Sequence, residues 1–197
     1  MSPLVLASGS AARRTLLANA GLEFDVLPSM VDERAVEAPL ILDGATPAGI
    51  ASALAEAKAL DVSARVPGAF VIGADQTLDA EGHRGTKSET LAEARLQLAR
   101  LSGRAHQLHS AVAVARDGEL RWRHLDSATL TMRPLTAGDI DGYLDRVGPE
   151  VLKSVGVYQL EGEGIRLFES IEGDYFTILG LPLLPLLAYL RREGAIA

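Results

Sequence analysis

Near its amino terminus the chain reads LVLASGSAARRTLL, residues 4–17. The apolar run Leu4–Ala7 predicts a short strand, and a helical pattern begins at Ala11. A strand that passes through a small-residue turn into a helix leaves unpaired backbone N–H groups at the start of that helix. The stretch therefore predicts an α/β unit with an anion-binding turn at Ser8 and Ser10, although serines in such turns also serve simply as helix caps.

The rest of the chain continues this alternation of strands and helices, which predicts an α/β fold. Further strands are predicted at Phe24–Leu27, Phe70–Gly73, Gln107–Ala115 and Leu120–Met132. Helices are predicted at Ala11–Ala20, Pro47–Arg65, Glu89–Leu101, Ala137–Val147 and Leu183–Arg192. The turn signal Asp117-Gly118 predicts a long antiparallel hairpin, so the sheet is mixed. Because no Pro-, Gly- or Ser-rich linker interrupts the pattern, we expect residues 1–197 to form one domain.

Composition excludes several classes of function. The chain has 197 residues, 48% of them hydrophobic, and a net charge of −7, which argues against general nucleic-acid binding. It contains no cysteine, so disulfides, thiolate metal sites and a cysteine nucleophile are excluded. No basic, apolar leader is recognisable, and the apolar stretch Ile178–Leu190 is too short to span a bilayer. We therefore expect a cytoplasmic protein without a membrane partner.

Two acidic positions could carry chemistry. Asp75 follows the apolar run Phe70–Ala74, so we expect it at the carboxyl end of a strand, where open α/β sheets bind ligands. A carboxylate there can hold a divalent metal or take a proton from water, although an aspartate that caps a helix or stabilises a turn is the structural alternative. The second position is Asp32-Glu33, after the strand Phe24–Leu27. On its own this pair is typical of a solvated loop.

Scattered cations could face an anionic ligand. Lys58 lies in an otherwise small and apolar segment, on the helix face of Ala51 and Leu54. A lysine there either extends along the surface to water or points into a site. The other cations considered are Arg13, Arg14, Lys87 and Lys153. The histidines show no metal-ligand spacing, and neither a nucleophile elbow nor a P-loop occurs, which excludes classical NTPase machinery.

Taken together, these fragments resemble the Maf family of nucleoside triphosphate pyrophosphatases along almost the whole chain. The matching segments, in order, are Leu6–Arg13 with Leu16-Leu17, Asp32-Glu33, Lys58-Ala59, Gly73–Asp75, Gly85–Ser88, Leu101–Gly103 with His106, Gly156–Tyr158, Glu172–Tyr175 and Gly180–Leu183. The resemblance implies the Maf/inosine triphosphate pyrophosphatase architecture, a mixed twisted sheet flanked by helices, with two lobes around a central cleft.

The resemblance also implies a reaction and its residues. A nucleoside triphosphate would be hydrolysed between its α- and β-phosphates to a monophosphate and pyrophosphate, with help from Mg²⁺ or Mn²⁺. Asp75 and Glu33 would be catalytic and would hold the divalent metal cation. The substrate-binding residues would be Ser8, Ser10, Arg13, Lys58 and Lys87. A homodimer is also implied, formed through the exposed face of the segment Leu181–Leu190, although such a leucine run more often belongs to a core.

Departures from the family pattern bear on which nucleobase the protein would recognise. Ala12 replaces an arginine, and Ser154 stands where most members carry a lysine, with Lys153 one position earlier. On a strand, that shift would reverse the direction of the lysine side chain. Gln76 and Glu161 resemble the members similar to 7-methyl-GTP pyrophosphatases, because pyrimidine-specific members carry Thr and Gln there. A glutamate can accept hydrogen bonds from guanine N1 and N2 and complement a cationic ring.

Other functions stay open at this point. The resemblance is compatible with a dTTP/UTP pyrophosphatase of the same family, and with a nucleotide-binding regulator of cell division that does not cleave its ligand. A pure binder would not need Asp75 together with Glu33. An enzyme of the inosine triphosphate pyrophosphatase type would differ in its opening loop.

Overall fold

The computed structural model describes residues 3–197, in which a mixed sheet is flanked by helices. The strands are β1 Leu4–Leu6, β2 Asp25–Val26, β3 Phe70–Ala80, β4 His83–Gly85, β5 Ala105–Arg116, β6 Glu119–Met132 and β7 Phe168–Glu172. The helices are α1 Ala11–Asn19, α2 Glu33–Leu42, α3 Pro47–Ser63, α4 Leu91–Leu101, α5 Ala137–Val147, α6 Tyr175–Ile178 and α7 Leu183–Arg192. Two short 3₁₀ helices cover Gly148–Lys153 and Glu163–Leu167.

The strand order is β2-β1-β3-β5-β6-β7, with β4 also paired to β3. β1 lies parallel to β2 and to β3, and the remaining pairs are antiparallel. β1 pairs with β3 only as far as Ile72, and β4 pairs with the same edge only from Leu78 onward. Within residues 3–197, this edge of β3 therefore has no strand partner at residues 73–77. We call this segment the β3 gap.

Helices cover both faces of the sheet. On one face, α3 packs its alanines Ala51, Ala55 and Ala59 against small residues of β5. The other face carries two hydrophobic clusters. One lies around β1, α1 and α7, and the second lies around α4 and α5. The leucines Leu186 and Leu190 of α7 are fully buried in the first cluster.

The α/β class, the mixed sheet and the β5–β6 hairpin are confirmed. Asp117 and Gly118 form the hairpin turn with φ of 54° and 76°, the left-handed values expected of a tight turn. Two expectations about elements are wrong. The segment after Asp32 is not a solvated loop but helix α2, and the strand that begins at Phe70 does not end before Asp75 but continues to Ala80. No helix among residues 3–197 has the length and hydropathy needed to cross a membrane.

Candidate active site

Three predicted residues meet at the β3 gap. Lys58 Nζ of α3 lies 2.6 Å from Asp75 Oδ1 and 2.7 Å from Glu33 Oε1. Asp75 is only 8% exposed, whereas half of the Glu33 side chain is open to solvent. One ammonium group thus bridges a buried carboxylate and an accessible one, and the three side chains come from three separate elements.

Asp75 lies in the middle of β3 rather than at its carboxyl end, so that part of the prediction is wrong. The strand that does end here is β1, whose last pair with β3 is Leu6 with Ile72. Asp75 therefore still borders a crevice beyond a strand end, as in other open α/β sheets. Because β3 continues past this point, it holds Asp75 by pairing with Ala111 on its other edge.

Lys58 does not extend along the surface to water. Its side chain is only 12% exposed, and its helix neighbours Ala51 and Leu54 are fully buried. The position of α3 depends on Gly73, since an added Cβ would lie 2.3 Å from the carbonyl oxygen of Ala55. The missing side chain at Gly73 lets the helix approach β3 closely enough for Lys58 to reach Asp75.

Glu33 is the first residue of α2. The helix begins there because Asp32 caps it, accepting a hydrogen bond from the Ala35 N–H at 3.2 Å. Partial burial raises the pKa of Glu33, but the hydrogen bond and charge of Lys58, with the charges of Lys87 and Arg13, lower it more strongly. The net shift of the pKa is downward, so Glu33 is ionised at neutral pH.

Arg13 links the turn at Ser8–Ser10 to β3 and to the segment at Gly180. Its Nε donates to the Gly180 carbonyl at 2.8 Å, and its Nη1 donates to the Ala74 carbonyl at 2.8 Å and to Ser8 Oγ at 3.1 Å. Burial lowers the pKa of Arg13, while the negative charges of Asp75 and Glu33 act in the opposite direction. The Ala74 contact places this cation directly beside the β3 gap.

The two serines of the turn differ in role. Ser10 is the N-cap of α1, accepting from the Arg13 N–H at 3.4 Å, as the capping alternative predicts. Ser8 is buried, and its Oγ accepts from the Ser10 N–H at 3.3 Å as well as from Arg13. Lys87 is exposed between β4 and α4, and it reaches Glu33 only through its charge.

The predicted specificity residues lie apart from the Lys58 contact. Gln76 points to the opposite face of β3, where its Nε2 donates to Ser110 Oγ at 2.9 Å and to the carbonyls of Thr177 and Ile178 at 3.2 and 2.9 Å. Glu161 is exposed, close enough to Tyr143 for its charge to raise the pKa of that phenol, and Ala12 is half-buried in α1.

Lys153 does not join the site residues. It ends a 3₁₀ helix rather than lying on a strand, so the expected reversal of its side chain does not apply. Its Nζ pairs with Glu150 Oε2 at 2.6 Å, and its side chain is 71% exposed.

The sequence analysis also missed a partly buried ion pair beside the site, between Glu37 of α2 and Arg84 of β4. The four-residue spacing of Glu33 and Glu37 is the signal that could have found it. The backbone acceptors of Arg13, the carbonyls of Ala74 and Gly180, have no signal in the sequence.

The carboxylates of Asp75 and Glu33 are the oxygen donors that a divalent cation could use. They already share one positive group, the Lys58 ammonium. Residues 3–197 contain no cluster of three or more acidic, His or Cys ligands. Mg²⁺ fits a two-carboxylate site, since it is commonly held by one or two carboxylates together with substrate phosphates.

Comparison with known proteins assigns the family. The family model described as "Maf-like protein" matches residues 3–193. The chain belongs to the Maf-like family. This confirms the resemblance read from the motifs.

Curated relatives of this Maf-like protein match it over nearly their whole length. It is 58% identical, over 98% of its chain and 97% of the relative, to a 7-methyl-GTP pyrophosphatase of Brucella abortus. It is 55% identical to a 7-methyl-GTP pyrophosphatase of Rhizobium etli, over 100% of its chain and 99% of the relative. It is 52% identical to a nucleoside triphosphate pyrophosphatase of Caulobacter vibrioides, over 100% of its chain and 98% of the relative.

Proposed function

We propose that this Maf-like protein hydrolyses a nucleoside triphosphate between its α- and β-phosphates, releasing a nucleoside monophosphate and pyrophosphate. The observation that carries the proposal is the contact of Lys58 with both Asp75 and Glu33 at the β3 gap. It puts a buried carboxylate, an accessible carboxylate and a cation side by side. The names of the curated relatives support the same reaction class.

Asp75 is the proposed general base. Its Oδ1 accepts from Lys58, whereas Oδ2 carries no hydrogen bond to the described residues and is the atom that takes the proton from water. The water oxygen then bonds to the α-phosphorus, the bond to the bridging oxygen breaks, and pyrophosphate leaves with that oxygen. Lys58, which donates to Oδ1 at 2.6 Å, fixes the orientation of the carboxylate before the transfer.

Arg13, Lys58 and Lys87 are proposed to neutralise the phosphate oxygens. Arg13 is held in place by two backbone carbonyls, so its charge needs no reorganisation when a phosphate binds. Ser8 and Ser10 shape the turn beside it. Mg²⁺ or Mn²⁺, held by Asp75 and Glu33, would supply further charge neutralisation at the phosphate.

We propose 7-methyl-GTP as the preferred substrate. Two relatives carry that name, and Gln76 and Glu161 are the residues expected of that subgroup. Glu161 offers an exposed carboxylate, which complements the positive charge of a methylated guanine and can accept from its N1 and N2 donors. A cytoplasmic location and a homodimer belong to the same proposal, and cell fractionation and light scattering test them.

A panel of triphosphates tests the proposed function. Pyrophosphate release is measured with 7-methyl-GTP, GTP, UTP and dTTP, with Mg²⁺ and with the metal removed by chelation. We expect activity only with the metal, and the highest kcat/KM with 7-methyl-GTP. A preference for UTP or dTTP would overturn the substrate, and binding without any cleavage would support a non-catalytic regulator instead.

The Glu161→Gln variant tests the proposed contact between Glu161 and the guanine base of the substrate. Loss of the charge is expected to lower kcat/KM for 7-methyl-GTP about tenfold relative to GTP, as for a charge-assisted hydrogen bond. The matched control is Glu169→Gln, which removes another exposed glutamate, on β7. An unchanged ratio of the two substrates in Glu161→Gln would remove Glu161 from base recognition.

A further inference from the structure

Helix α2 lacks the anchoring that holds most helices to a protein. Of its ten residues only one is buried, and that residue is the acidic Glu37. The large apolar residues near its end are turned to solvent, Ile41 with 54% and Leu42 with 87% of their surface exposed. Helices ordinarily dock by burying an apolar stripe, but the apolar residues of α2 that face inward, Val36 and Leu40, are only partly buried.

The attachment of α2 to the sheet is an ion pair. Arg84 Nη1 donates to Glu37 Oε2 at 2.8 Å, and Arg84 Nη2 donates to Glu37 Oε1. Two parallel N–H···O bonds fix both distance and orientation, as one contact does not. Arg84 lies on β4 opposite Asp79 of β3, so the pair ties the helix to the strand that carries Asp75.

The same helix face carries Glu33 one turn earlier. Residues four apart on a helix lie on one side, so the carboxylates of Glu33 and Glu37 point toward the sheet together. Glu33 is held by Lys58 of α3, and Glu37 is held by Arg84 of β4. If Lys58 turns to a phosphate when substrate binds, the Glu37–Arg84 pair is the one ion pair between α2 and the rest of residues 3–197 that remains.

We infer that Glu37 and Arg84 are positioning residues, which hold α2 across the β3 gap so that Glu33 stays beside Asp75. This inference rests on the proposed function and adds to it two residues that do not touch the reacting atoms. It also explains why the buried position of α2 is a glutamate. An apolar side chain there would allow α2 to slide along β4, whereas a bidentate ion pair specifies one position of the helix.

The Glu37→Gln and Arg84→Gln variants test the inference. Each is expected to lower kcat about 10- to 100-fold, the usual cost of removing a group that orients a site residue. KM is expected to change less than threefold, because Arg13 and Lys87 still bind phosphate. The double variant should be no slower than the slower single one, since both changes remove the same contact.

Hydrogen exchange separates positioning from general destabilisation. With neither metal nor substrate present, amides of residues 33–42 should exchange faster in both single variants, while those of α4 and α5 keep their wild-type rates. Arg84→Lys keeps the positive charge but loses the two parallel N–H donors of the guanidinium group, so its kcat should lie between those of wild type and Arg84→Gln.

The matched control is Arg95→Gln. Arg95 also forms two hydrogen bonds to one carboxylate, that of Asp141, and joins α4 to α5 without carrying a site residue. We expect wild-type kcat in this variant. Wild-type kcat in Glu37→Gln and Arg84→Gln would overturn the inference, and so would faster exchange throughout the chain. If the wild type releases pyrophosphate in the same assay, only the inference fails; if the wild type releases none, the proposed function itself fails.

Discussion

Lys58 joins two carboxylates that have different surroundings. Asp75 is enclosed by the sheet and α3, whereas Glu33 stands at the solvent-exposed start of α2. A buried charge requires a partner, and an accessible one can exchange its partner for a ligand. The proposed roles, Asp75 as base and Glu33 as a carboxylate open to a metal, rest on this difference in burial, although both residues are simply acidic in the sequence.

Asp75→Asn is expected to reduce kcat by about 10²- to 10⁴-fold, because the amide cannot accept the proton from water. The fold should persist, since the amide oxygen can still accept from Lys58. Pyrophosphate release and circular dichroism measure the two effects. Asp145→Asn, which changes an exposed carboxylate of α5, is the control. Retained turnover in Asp75→Asn would remove it as the base.

Lys58→Met is expected to lower the free energy of unfolding by about 3 kcal/mol at pH 7, because it leaves the buried Asp75 carboxylate without its cation. Urea unfolding measures the change. In the control Lys153→Met, the lost ion pair is solvent-exposed, and a change below about 1 kcal/mol is expected. Equal losses in the two variants would contradict the importance of the Lys58 contact.

At the scale of elements, the site depends on how closely α3 approaches β3. Helix α3 was predicted from its pattern, but the approach depends on Gly73, where backbone atoms of Ala55 and Ala59 occupy the space of a side chain. Helix α2 was missed because Pro39 lies inside it, and proline disfavours the interior of a helix. Its start depends on the Asp32 cap and its docking on ion pairs, neither of which hydrophobic patterning detects.

Gly73→Ala is expected to push α3 away from β3, since the added Cβ would meet the Ala55 carbonyl at 2.3 Å and the Ala59 nitrogen at 2.5 Å. Overpacking of this kind costs about 1–3 kcal/mol of stability. Separation of Lys58 from Asp75 should lower kcat as well. Thermal unfolding and pyrophosphate release measure both. Gly9→Ala has open space around its Cβ and serves as the stability control. Normal kcat in folded Gly73→Ala would contradict this account.

At the scale of the whole molecule, a buried polar contact joins the sheet to the segment after α5. His106 Nε2 of β5 lies 2.7 Å from the Tyr158 hydroxyl, and Nδ1 is buried without a hydrogen-bond partner among the described residues. Burial lowers the pKa of His106 to about 4 and raises the pKa of Tyr158. The histidine therefore stays neutral in the folded protein at pH values well below its ordinary pKa of 6.5.

This shift predicts an acid-dependent loss of stability. Between pH 6.5 and about pH 4 the unfolded chain binds a proton at His106 that the folded chain does not, so the free energy of unfolding falls as pH falls through this range. The contribution is about 3 kcal/mol between the two limits. His106→Gln should show a shallower pH dependence in urea unfolding at pH 7 and pH 4. His124→Gln, a partly exposed histidine, should keep the wild-type slope. Identical slopes in His106→Gln and wild type would contradict the prediction.

The α/β class, the hairpin and the family could be predicted from the sequence, and so could Lys58, Asp75 and Glu33 as candidate site residues. These features depend on local periodicity, on the residues in turns and on the order of motifs, all of which can be read from the sequence without a structure. Only the tertiary structure decided that Lys58 bridges Asp75 and Glu33, that Arg13 binds the carbonyls of Ala74 and Gly180, and that Glu37 pairs with Arg84. These contacts join groups that are far apart in sequence, and their distances depend on how closely the backbones pack rather than on any local pattern.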